Sequence, residues 1–402
     1  MDLGIKGRKA IVCASSRGLG FACAQSLAGR STTPWAGRYA SPSGVTNMTS
    51  RVKSRDVSNP LNRFRDVALT YDEGEGPPPT KVTLLEDNSR SILSHNDSPD
   101  LNFRWSANPY RGCLHACAYC YARPTHEYLD LGAGTDFDTK IVVKRAAPAL
   151  LAEAFDRPSW RGELVMFSGV TDCYQPVERT LGLTRACLEV CLAYRNPVSV
   201  ISKSALIERD IDLFQRLTAE AHVGVSVSLA FSDADTARAL EPWAPSPERR
   251  FQLISTLAAA GVPVGVMCAP IIPGVNDRQL VTVLERAAAA GAQWAGWVLL
   301  RLPGAVEPVF TERVRAALPL AADRILARIR DTRGGDKLYD ARFGVRGRGE
   351  GAYAAAIDQL FTTTVRRLGL APGNRATQTL AEAAAPTTFQ RPARPGAQLS
   401  LF

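Results

Sequence analysis

Short apolar runs alternate with amphipathic segments through the middle of the chain. The runs have the length of strands, whereas the segments between them carry apolar residues at helical spacing. Six strands are predicted at residues 102–106, 164–168, 198–202, 223–229, 262–268 and 294–300. Helices are predicted between them, including residues 146–155, 206–217 and 277–290. This alternation favours parallel strands joined by right-handed crossovers, and therefore an α/β barrel or part of one, over residues 101–330.

The regions on either side of this core have a different composition. Residues 31–100 are predicted to be a linker followed by an extended arm, with a loop at residues 74–79 and a strand near residues 81–85. A helix at residues 352–368 is predicted within a C-terminal extension, residues 331–370. Residues 371–402 are rich in Ala, Pro, Thr and Gln and are predicted to be a disordered tail.

Residues 1–30 carry a pattern of their own. An apolar strand is followed by a turn with Gly18 and Gly20 and by a helix at residues 21–28, which resembles the opening of a short-chain dehydrogenase. The further strand–helix units and the Tyr-x-x-x-Lys site of such an enzyme are not found downstream, so no working NAD site is expected. We interpret residues 1–30 as a truncated fragment, and residues before about Met48 as a fusion or gene-start artefact.

The composition excludes several classes of protein. With 402 residues, 46% of them hydrophobic and 22% charged, the chain can bury a full-sized core. No stretch approaches the roughly 18 consecutive apolar residues that suggest a membrane span, and the N-terminus has no signal-peptide pattern. Nine cysteines, three of them clustered, indicate metal chemistry in a reducing compartment rather than a disulfide framework. We therefore expect a cytoplasmic protein.

The chain is basic, with a formal charge of +9 from 48 basic and 39 acidic residues. Most of the basic residues are arginines, whose forked guanidinium suits phosphate contact. An arginine- and alanine-rich composition can also reflect the base composition of a genome. Charge alone therefore leaves nucleic-acid binding as one hypothesis.

Three cysteines give the most specific chemical signal. Cys113, Cys117 and Cys120 form C-x3-C-x2-C within Asn108-Pro-Tyr-Arg-Gly-Cys-Leu-His-Ala-Cys-Ala-Tyr-Cys-Tyr121. Three thiolates at this spacing can hold three irons of a [4Fe–4S] cluster. Clusters that only carry electrons normally have four protein thiolates, so we expect the fourth iron to take an external ligand, first of all S-adenosylmethionine (SAM). The alternative is a Cys3His zinc site completed by His115 or His126.

The remaining cysteines need separate interpretations. Cys187 and Cys191 lie four residues apart in a helical pattern and would share one face, as core residues or as auxiliary ligands. Cys13, Cys23 and Cys268 are interpreted as small apolar fillers.

Together with the cysteines, several phrases make the sequence resemble the radical SAM superfamily, and more narrowly its spore-photoproduct-lyase-like branch, often called DNA repair photolyase. The resemblance runs from about Ser58 to Leu370. The phrases are Asn96-Asp-Ser-Pro-Asp100, Tyr121-Ala-Arg-Pro-Thr-His-Glu-Tyr128, Thr171-Asp-Cys-Tyr-Gln-Pro-Val-Glu178, Ile201-Ser-Lys-Ser-Ala205, Ala269-Pro-Ile-Ile-Pro-Gly-Val-Asn-Asp277 and Leu299-Leu-Arg-Leu-Pro303. The resemblance implies an open, partial (βα)6 barrel with an N-terminal extension and a C-terminal helix.

The resemblance also implies a SAM site at the carboxyl ends of the strands, where ligands gather in parallel barrels. Tyr119 and Tyr121 are expected against the adenosyl part of SAM, and Lys203 is expected at the methionyl carboxylate. Ser226 and Ser228 share one face of the fourth strand, so either can meet the ribose hydroxyls if that face points inward.

The end of the second strand is expected to bind the methionyl amine. The small residues Ser168 and Gly169 allow close approach of the backbone, and Thr171 or Asp172 can accept a hydrogen bond from the ammonium. Asp172 has an equal alternative as the cap of the next helix.

Three features depart from the family pattern or stay open. Photoproduct lyases have a cysteine near this strand end that returns a hydrogen atom to the product radical, whereas this chain has Gly169-Val-Thr and, further on, Cys173, a relocated donor or a neutral substitution. Trp243 replaces the basic residue of a Glu-Pro-Arg segment. Arg301 is expected to bind a substrate phosphate or carboxylate or to form a salt bridge, and residues 342–351 are a substrate-facing lid or a solvated loop.

These observations predict an enzyme that reductively cleaves SAM at a [4Fe–4S] cluster and abstracts hydrogen from a substrate, with nucleic acid as the first candidate. A one-electron reductant such as flavodoxin or ferredoxin is the expected partner. The alternatives are radical SAM modification of a small molecule or protein, and a zinc- or cluster-binding module without turnover.

Overall fold

The computed structural model of the protein describes residues 82–101, 103–373 and 387–392. The strands of this part of the chain are β1 (Thr83–Glu86), β2 (Leu93–His95), β3 (Trp105–Ala107), β4 (Tyr110–Arg111), β5 (Lys140–Val143), β6 (Val165–Phe167), β7 (Val198–Ser202), β8 (Val223–Ser228), β9 (Val264–Ile271), β10 (Trp294–Leu299) and β11 (Ala371–Pro372).

Helices follow most of these strands. The α-helices are α1 (Thr135–Thr139), α2 (Ala147–Asp156), α3 (Glu178–Leu181), α4 (Leu183–Ala193), α5 (Ile211–Glu220), α6 (Ala234–Leu240), α7 (Pro247–Ala259), α8 (Leu280–Ala289), α9 (Val306–Ala317), α10 (Ala322–Asp331) and α11 (Gly351–Arg367). Shorter 3-10 helices lie at Arg123–Leu129, Ala205–Asp210 and Asp277–Gln279.

The main sheet has eight strands in the order β11-β10-β9-β8-β7-β6-β3-β2. The neighbouring pairs from β3 to β11 are parallel, and only β2 runs antiparallel to its neighbour β3. The sheet stays open between its edge strands β11 and β2, so it is a partial barrel. The predicted α/β fold with an open parallel barrel is confirmed.

Alternating residues of each strand face the helices or the inside of the sheet. Val225 and Val227 of β8 belong to one apolar core together with helix residues such as Leu188 and Phe214. Because successive side chains of a strand point to opposite faces, Ser226 and Ser228 face the inside of the partial barrel. The sequence analysis allowed either serine to meet the ribose hydroxyls only if this face of β8 points inward. The structure shows that it does.

A tryptophan fills part of this inner side. Trp294 begins β10, is 1% exposed, and its Nε1 donates to Ser226 Oγ at 3.1 Å. The ring passes over the backbone of Gly265, where an added Cβ would lie 2.2 Å from Trp294 Nε1. The small residue at this position of β9 therefore makes room for the ring.

A second, three-stranded sheet supports the cysteine motif. Its order is β1-β5-β4, and β4 ends at Arg111, two residues before Cys113. Tyr110 of β4 is fully buried and donates its hydroxyl to Glu178, which begins α3. The position of the motif is thus fixed by backbone pairing with β5 and by a buried side-chain contact.

The six predicted strands are present with small shifts at their ends, and β7 has the predicted bounds. The C-terminal helix α11 lies one residue earlier than predicted. Strand β5 and helices α1, α9 and α10 are among the elements that were not predicted. Among the helices that the structure describes, none is long and apolar enough to cross a membrane.

Part of the region predicted as a disordered tail is packed. Residues 371–372 form β11 beside β10. Phe389 stacks on Tyr194 with ring centroids 6.2 Å apart, and Arg391 donates to the carbonyls of Phe155, Arg157 and Trp160. The dehydrogenase-like fragment at residues 1–30 and Asn102 of the first predicted strand lie outside the described residues.

Candidate active site

The three cysteines lie on one loop between β4 and the 3-10 helix at Arg123–Leu129. Cys113 and Cys117 are each 7% exposed, Cys120 is half-buried, and all three are free of disulfides. The amide of Cys113 donates to the carbonyl of Phe137 at 3.0 Å, and the amide of Ala118 donates to that of Leu240 at 2.8 Å. We call residues 112–121 the cluster loop.

Gln175 and Thr171 hold the beginning of the cluster loop. Gln175 is fully buried; its Nε2 donates to the carbonyl of Gly112 at 2.9 Å, and its Oε1 accepts from the amide of Leu114 at 3.0 Å. Thr171 Oγ1 donates to the same Gly112 carbonyl at 2.5 Å and accepts from Gln175 Nε2 at 3.0 Å. The backbone on both sides of Cys113 is therefore anchored to the loop after β6.

Two arginines hold the middle of the cluster loop. The buried Arg123 donates to the carbonyl of Cys117 at 2.7 Å, and Arg313 of α9 donates to the carbonyl of Ala116 at 2.8 Å. Both guanidiniums pair with Asp138 of α1, Arg123 at 2.8 Å. Ala116 has a φ of +54°, a conformation that is uncommon outside glycine. These contacts stabilise it.

Burial controls the thiols of the loop. It raises the pKa of Cys117 to about 12, although the nearby Lys203 acts in the opposite direction, and it also raises the pKa of Cys120. A thiol ligand must lose its proton to bind metal, so metal binding here releases protons. The buried thiols also lie in the apolar, water-poor surroundings that suit a thiolate-bound cluster.

Lys203 brings a positive charge to the end of β7 beside this loop. Its Nζ donates to Ser228 Oγ at 3.0 Å and lies 5.8 Å from the centroid of the Tyr119 ring. Burial would lower the pKa of Lys203, but the negative charge of Cys117, present once this thiol is ionised as a metal ligand is, and the charge of Glu241 outweigh it and raise the pKa. The ammonium therefore stays charged and can bind an anionic group.

Glu241 bonds the cluster loop to α7, and its charge also acts on the Lys203 ammonium. It accepts a hydrogen bond from the hydroxyl of Tyr119 and pairs with Arg250 of α7, and all three side chains are buried. Arg250 also donates to the carbonyls of Ser228 and Pro245 at 3.1 and 2.9 Å. The family pattern has an arginine two residues after Glu241, where this chain has Trp243. Arg250 of α7 supplies the basic partner of Glu241 here.

The end of β6 forms a tight turn next to the loop. Ser168 has a φ of +82°, and the amides of Gly169 and Val170 both donate to Asn108 Oδ1, at 2.8 and 3.0 Å. The hydroxyl of Tyr121 donates to the Gly169 carbonyl at 2.7 Å. A strained residue held in this way is common at binding sites.

Asp172 links the turn to the end of β7. It accepts from Ser202 Oγ and from the amide of Lys203, both at 2.7 Å, and from the amide of Tyr174 at 3.0 Å. Burial would raise the pKa of Asp172, but His115, the Lys203 amide and Ser202 lower it to about 2. Asp172 is therefore an ionised anchor. Thr171 is likewise engaged with protein groups through both its donor and its acceptor.

The two serines of β8 have different surroundings. Ser226 is bonded to Trp294, whereas Ser228, two residues nearer the carboxyl end of the strand, is bonded to Lys203. Ser228 is therefore brought together with the other predicted SAM ligands, and Ser226 lies deeper, at the tryptophan.

Cys173 and the two histidines of this region are buried in the protein. Cys173 belongs to the apolar core, and its amide donates to Ser168 Oγ at 3.0 Å. His126 pairs through Nε2 with the Lys140 carbonyl at 2.9 Å, and Nδ1 of His115 lies 3.5 Å from Asp172. Within the part of the chain that the structure describes, no group of three or more His, Cys, Asp or Glu side chains is gathered closely enough to hold a metal ion.

Arginine and aromatic side chains lie beyond the strand ends. The guanidinium of Arg301 lies 5.3 Å from the ring of Tyr121, which is 47% exposed, and Arg301 Nε is buried with no hydrogen-bond partner among the described residues. Residues 342–351 pack nearby: Arg346 pairs with Asp100, and Phe343 is 58% exposed. This set forms a basic and aromatic rim, defined here as Tyr121, Arg301, Phe343 and Arg346.

The radical SAM superfamily model matches residues 107–287, which contain the cluster loop, Lys203 and Glu241. The chain belongs to the radical SAM superfamily. As a radical SAM chain, it is expected to use SAM and a [4Fe–4S] cluster, and the free thiols and the retained ammonium fit such ligands.

Similar sequences come from bacteria and archaea. The chain is 43% identical over 194 residues to an uncharacterized protein of Mycobacterium tuberculosis, covering 48% of this chain and 57% of that protein. It is 30% identical over 202 residues to an uncharacterized protein of Methanocaldococcus jannaschii, covering 50% of this chain and 73% of that protein. The chain therefore spans little more than half the length of the mycobacterial relative.

The fold resembles that of spore photoproduct lyase. The structure of that lyase complexed with dinucleoside spore photoproduct has a TM-score of 0.55 at 15% identity, covering 72% of this chain and 81% of the lyase. A mutant of the same lyase with bound AdoMet and dinucleoside spore photoproduct gives the same values. At this identity the comparison establishes the fold.

Several residues of the site were not singled out from the sequence. They are Asn108, Arg123, Asp138, Gln175, Arg250 and Arg313. Gln175 lies inside one of the sequence phrases that resemble the radical SAM family. The sequence therefore pointed to the residue, but not to its hydrogen bonds with the cluster loop. Asp138 and Arg313 come from elements, α1 and α9, that the hydrophobic pattern did not predict.

Proposed function

We propose that the protein is a radical SAM enzyme that holds a [4Fe–4S] cluster through Cys113, Cys117 and Cys120 and binds SAM at the adjoining strand ends. The observation that carries the proposal is the placement of three free, largely buried thiols on one loop beside the ammonium of Lys203. When bound there, the cluster would supply the one-electron reduction that releases a 5′-deoxyadenosyl radical from SAM, and that radical would abstract hydrogen from the substrate.

The chain's own residues orient SAM and exclude water. Lys203 binds the methionyl carboxylate and Ser228 lies within reach of the ribose, while the turn at Ser168 and Gly169 offers backbone groups to the methionyl amine. Tyr119 and Tyr121 line the adenosyl side. Three other predicted residues support the SAM site indirectly, because their polar atoms are already bonded to protein groups. Thr171 bonds the Gly112 carbonyl, Asp172 bonds the Lys203 amide, and Ser226 bonds the Trp294 ring.

For the substrate we propose a nucleic acid, processed in a photolyase-like manner. The rim of Tyr121, Arg301, Phe343 and Arg346 combines exposed rings with guanidiniums, as in proteins that stack bases and bind phosphates. A fold that resembles that of a lyase whose structure is complexed with dinucleoside spore photoproduct supports this choice. We do not propose Cys173 as the group that returns a hydrogen atom to the product radical, because it is fully buried in the apolar core that also holds the helix residues Leu188 and Phe214.

We also propose a cytoplasmic location and a one-electron reductant, flavodoxin or ferredoxin. The seven cysteines in the described part of the chain are all free. Free thiols and an oxygen-sensitive cluster both suit a reducing compartment.

The first experiment tests SAM cleavage. The protein is reconstituted anaerobically with iron and sulfide, reduced with dithionite and given SAM, and 5′-deoxyadenosine is measured by mass spectrometry. We expect product from the wild-type protein and from Cys187→Ala, a buried cysteine outside the loop, but none from Cys113→Ala. Equal product from Cys113→Ala, or none from a wild-type protein that carries the cluster, would contradict the proposal.

The second experiment tests the substrate. Binding of a single-stranded oligonucleotide is measured between low and high salt, for the wild-type protein and for Arg301→Gln. We expect affinity that falls with salt, and a smaller salt dependence in the variant, because each phosphate contact releases counterions. Absence of binding at low salt would remove nucleic acid and leave a small molecule or a protein as the substrate.

A further inference from the structure

Two parts of the chain meet across the opening of the partial barrel. Ser98 and Asp100 lie in the connection between β3 and β2, an edge strand of the main sheet. The glycine-rich segment, residues 342–351, is bonded to the other side of the sheet, where the amide of Leu299 in β10 donates to the carbonyl of Gly347 at 2.8 Å. Contacts between this connection and this segment therefore join the two sides of the open sheet.

One carboxylate makes the junction. Asp100 accepts from the amide of Gly344 at 2.7 Å and pairs with Arg346, whose guanidinium also donates to Ser98 Oγ. We call Ser98, Asp100, Gly344 and Arg346 the latch. The side chains of Asp100 and Arg346 are 22% and 17% exposed, so water reaches both partners of the ion pair. Ion pairs that water reaches are weak, and the latch is therefore a contact that a ligand can open.

We propose that the latch is a phosphate-binding site in which Asp100 stands in for the ligand, and that a backbone phosphate of the substrate strand displaces this carboxylate. The inference rests on the proposed function, because it takes a nucleic acid as the substrate. Displacement of Asp100 releases the β2–β3 connection from the glycine-rich segment and opens the side of the barrel to the strand.

The groups around the Asp100 carboxylate are those that bind phosphate. They are a backbone amide, a serine hydroxyl and a guanidinium, and each of them donates to phosphate oxygens as readily as to a carboxylate. Gly344 has a φ of +78°, which glycine adopts without strain, and in this conformation its amide donates to the carboxylate. The donor set is therefore assembled before a ligand arrives.

A second guanidinium acts on the same carboxylate. Burial would raise the pKa of Asp100, but the Gly344 amide and the charges of Arg346 and Arg301 lower it. Arg301 makes no ion pair with a carboxylate of the described residues, and its buried Nε has no hydrogen-bond partner among them. Asp100 thus satisfies Arg346 and leaves Arg301 with donor capacity for an anion at this place.

The ring beside the latch gives a nucleic-acid strand an advantage over Asp100. Phe343 is 58% exposed, and the Arg346 guanidinium lies 4.4 Å from the centroid of its ring. A phosphodiester has the same single charge and the same pair of oxygens as a carboxylate. The strand attached to it can also stack a base on the exposed side of Phe343, which Asp100 cannot do.

The glycine-rich segment keeps its place when the latch opens. Arg333 is buried and donates to the carbonyls of Leu300, Val345 and Arg346 at 2.6, 2.8 and 3.0 Å. The segment is therefore attached to the end of β10 independently of Asp100. Displacement moves the β2–β3 connection and leaves the phosphate-binding groups in position.

The first test removes the charge of the latch and keeps its shape. Asp100→Asn is compared with Asp97→Asn, which changes the net charge equally in the same connection at an exposed position. The probe is a labelled single-stranded oligonucleotide, and its affinity is measured by fluorescence anisotropy at low salt. We expect Asp100→Asn to bind about 10-fold more tightly than Asp97→Asn, because the phosphate no longer competes with a carboxylate, and Arg346→Gln to bind more weakly than wild type. Equal or weaker binding by Asp100→Asn would overturn the latch.

The second test uses the wild-type protein, so it does not depend on the folding of a variant. Hydrogen exchange is followed by mass spectrometry with and without the oligonucleotide, and with inorganic phosphate at the same ionic strength. We expect the oligonucleotide to increase exchange in residues 96–101, and inorganic phosphate to leave it unchanged. No increase with a bound oligonucleotide would refute displacement, and an equal increase with inorganic phosphate would show that a strand is not the ligand. Absence of oligonucleotide binding to the wild type would instead remove the proposed nucleic-acid substrate, whereas SAM cleavage is tested separately.

Discussion

Replacing Gln175 with Leu should loosen the cluster loop without removing a cysteine. The Gln175 side chain is fully buried and makes three hydrogen bonds, to the Gly112 carbonyl, to Thr171 Oγ1 and from the Leu114 amide. Leu is similar in size but has no polar atoms. The Gly112 carbonyl keeps Thr171 as a partner, whereas the Leu114 amide loses the one that Gln175 supplies.

The size of the effect follows from these contacts. A typical buried hydrogen bond contributes about 1 kcal/mol, and a buried donor left without a partner costs about 1–3 kcal/mol. Loss of two bonds made by Nε2 and isolation of the Leu114 amide should therefore lower the free energy of unfolding by about 3–5 kcal/mol. That is a large share of the roughly 5–15 kcal/mol that stabilises a typical domain.

The effect is measured by anaerobic urea denaturation of the protein without iron, and by the rate at which a chelator removes iron from the reconstituted protein. We expect lower stability and faster iron loss in Gln175→Leu. Gln215→Leu is the control, because Gln215 is exposed and its side chain makes one hydrogen bond within the described part of the chain, to the carbonyl of Ala260. If Gln175→Leu matched this control in both measurements, the claim that Gln175 holds the loop would be wrong.

Three further predictions concern the strand ends and the floor of the barrel. Lys203→Met should weaken SAM binding by about 10- to 100-fold, which is the value of a charge-assisted hydrogen bond, and should leave the iron content unchanged. An unchanged Kd for SAM in equilibrium dialysis would contradict the role assigned to Lys203. Asp172 has a pKa lowered from 3.8 to about 2, so its contribution to stability is complete above pH 3.8 and is lost as the pH falls towards 2. In Asp172→Asn, acid denaturation should therefore show a weaker pH dependence across this window, and an identical profile would refute the ionised anchor. Gly265→Ala should destabilise the protein by about 1–3 kcal/mol in thermal denaturation because the new Cβ meets Trp294, and Gly265→Ala combined with Trp294→Leu should recover part of the loss.

The fold was largely predictable because its strands are marked by local pattern. Val198, Val200 and the alternating Val225 and Val227 show strand periodicity without any tertiary information, and they pack against the helices as expected. Strand β5 was missed because residues 140–143 give a run too short to distinguish from a loop. Helix α9 buries three side chains at four-residue spacing, Val306, Phe310 and Val314, and charged or small residues fill most of its other positions.

The candidate site was predictable where one residue type carries the chemistry. The cluster cysteines and Lys203 could be named from the sequence, and the structure brings Cys117 and Lys203 close enough to affect each other's pKa. The hydrogen-bond partners of the polar side chains were not predictable, because these bonds join distant parts of the chain. Trp294 and Ser226 are 68 residues apart, and no local pattern indicates that the serine is engaged.

The shared carboxylate of Asp138 sets an order for assembly during synthesis. Its two arginines come from very different places in the chain: Arg123 precedes it by 15 residues, and Arg313 follows it by 175 residues. At translation rates of about 5–20 residues per second, Arg313 leaves the ribosome roughly 10–35 s after Asp138. Until then the Ala116 carbonyl lacks the donor that Arg313 provides. A nascent chain therefore exposes its three cysteines well before the loop is closed, and iron insertion is best matched to a late stage of folding.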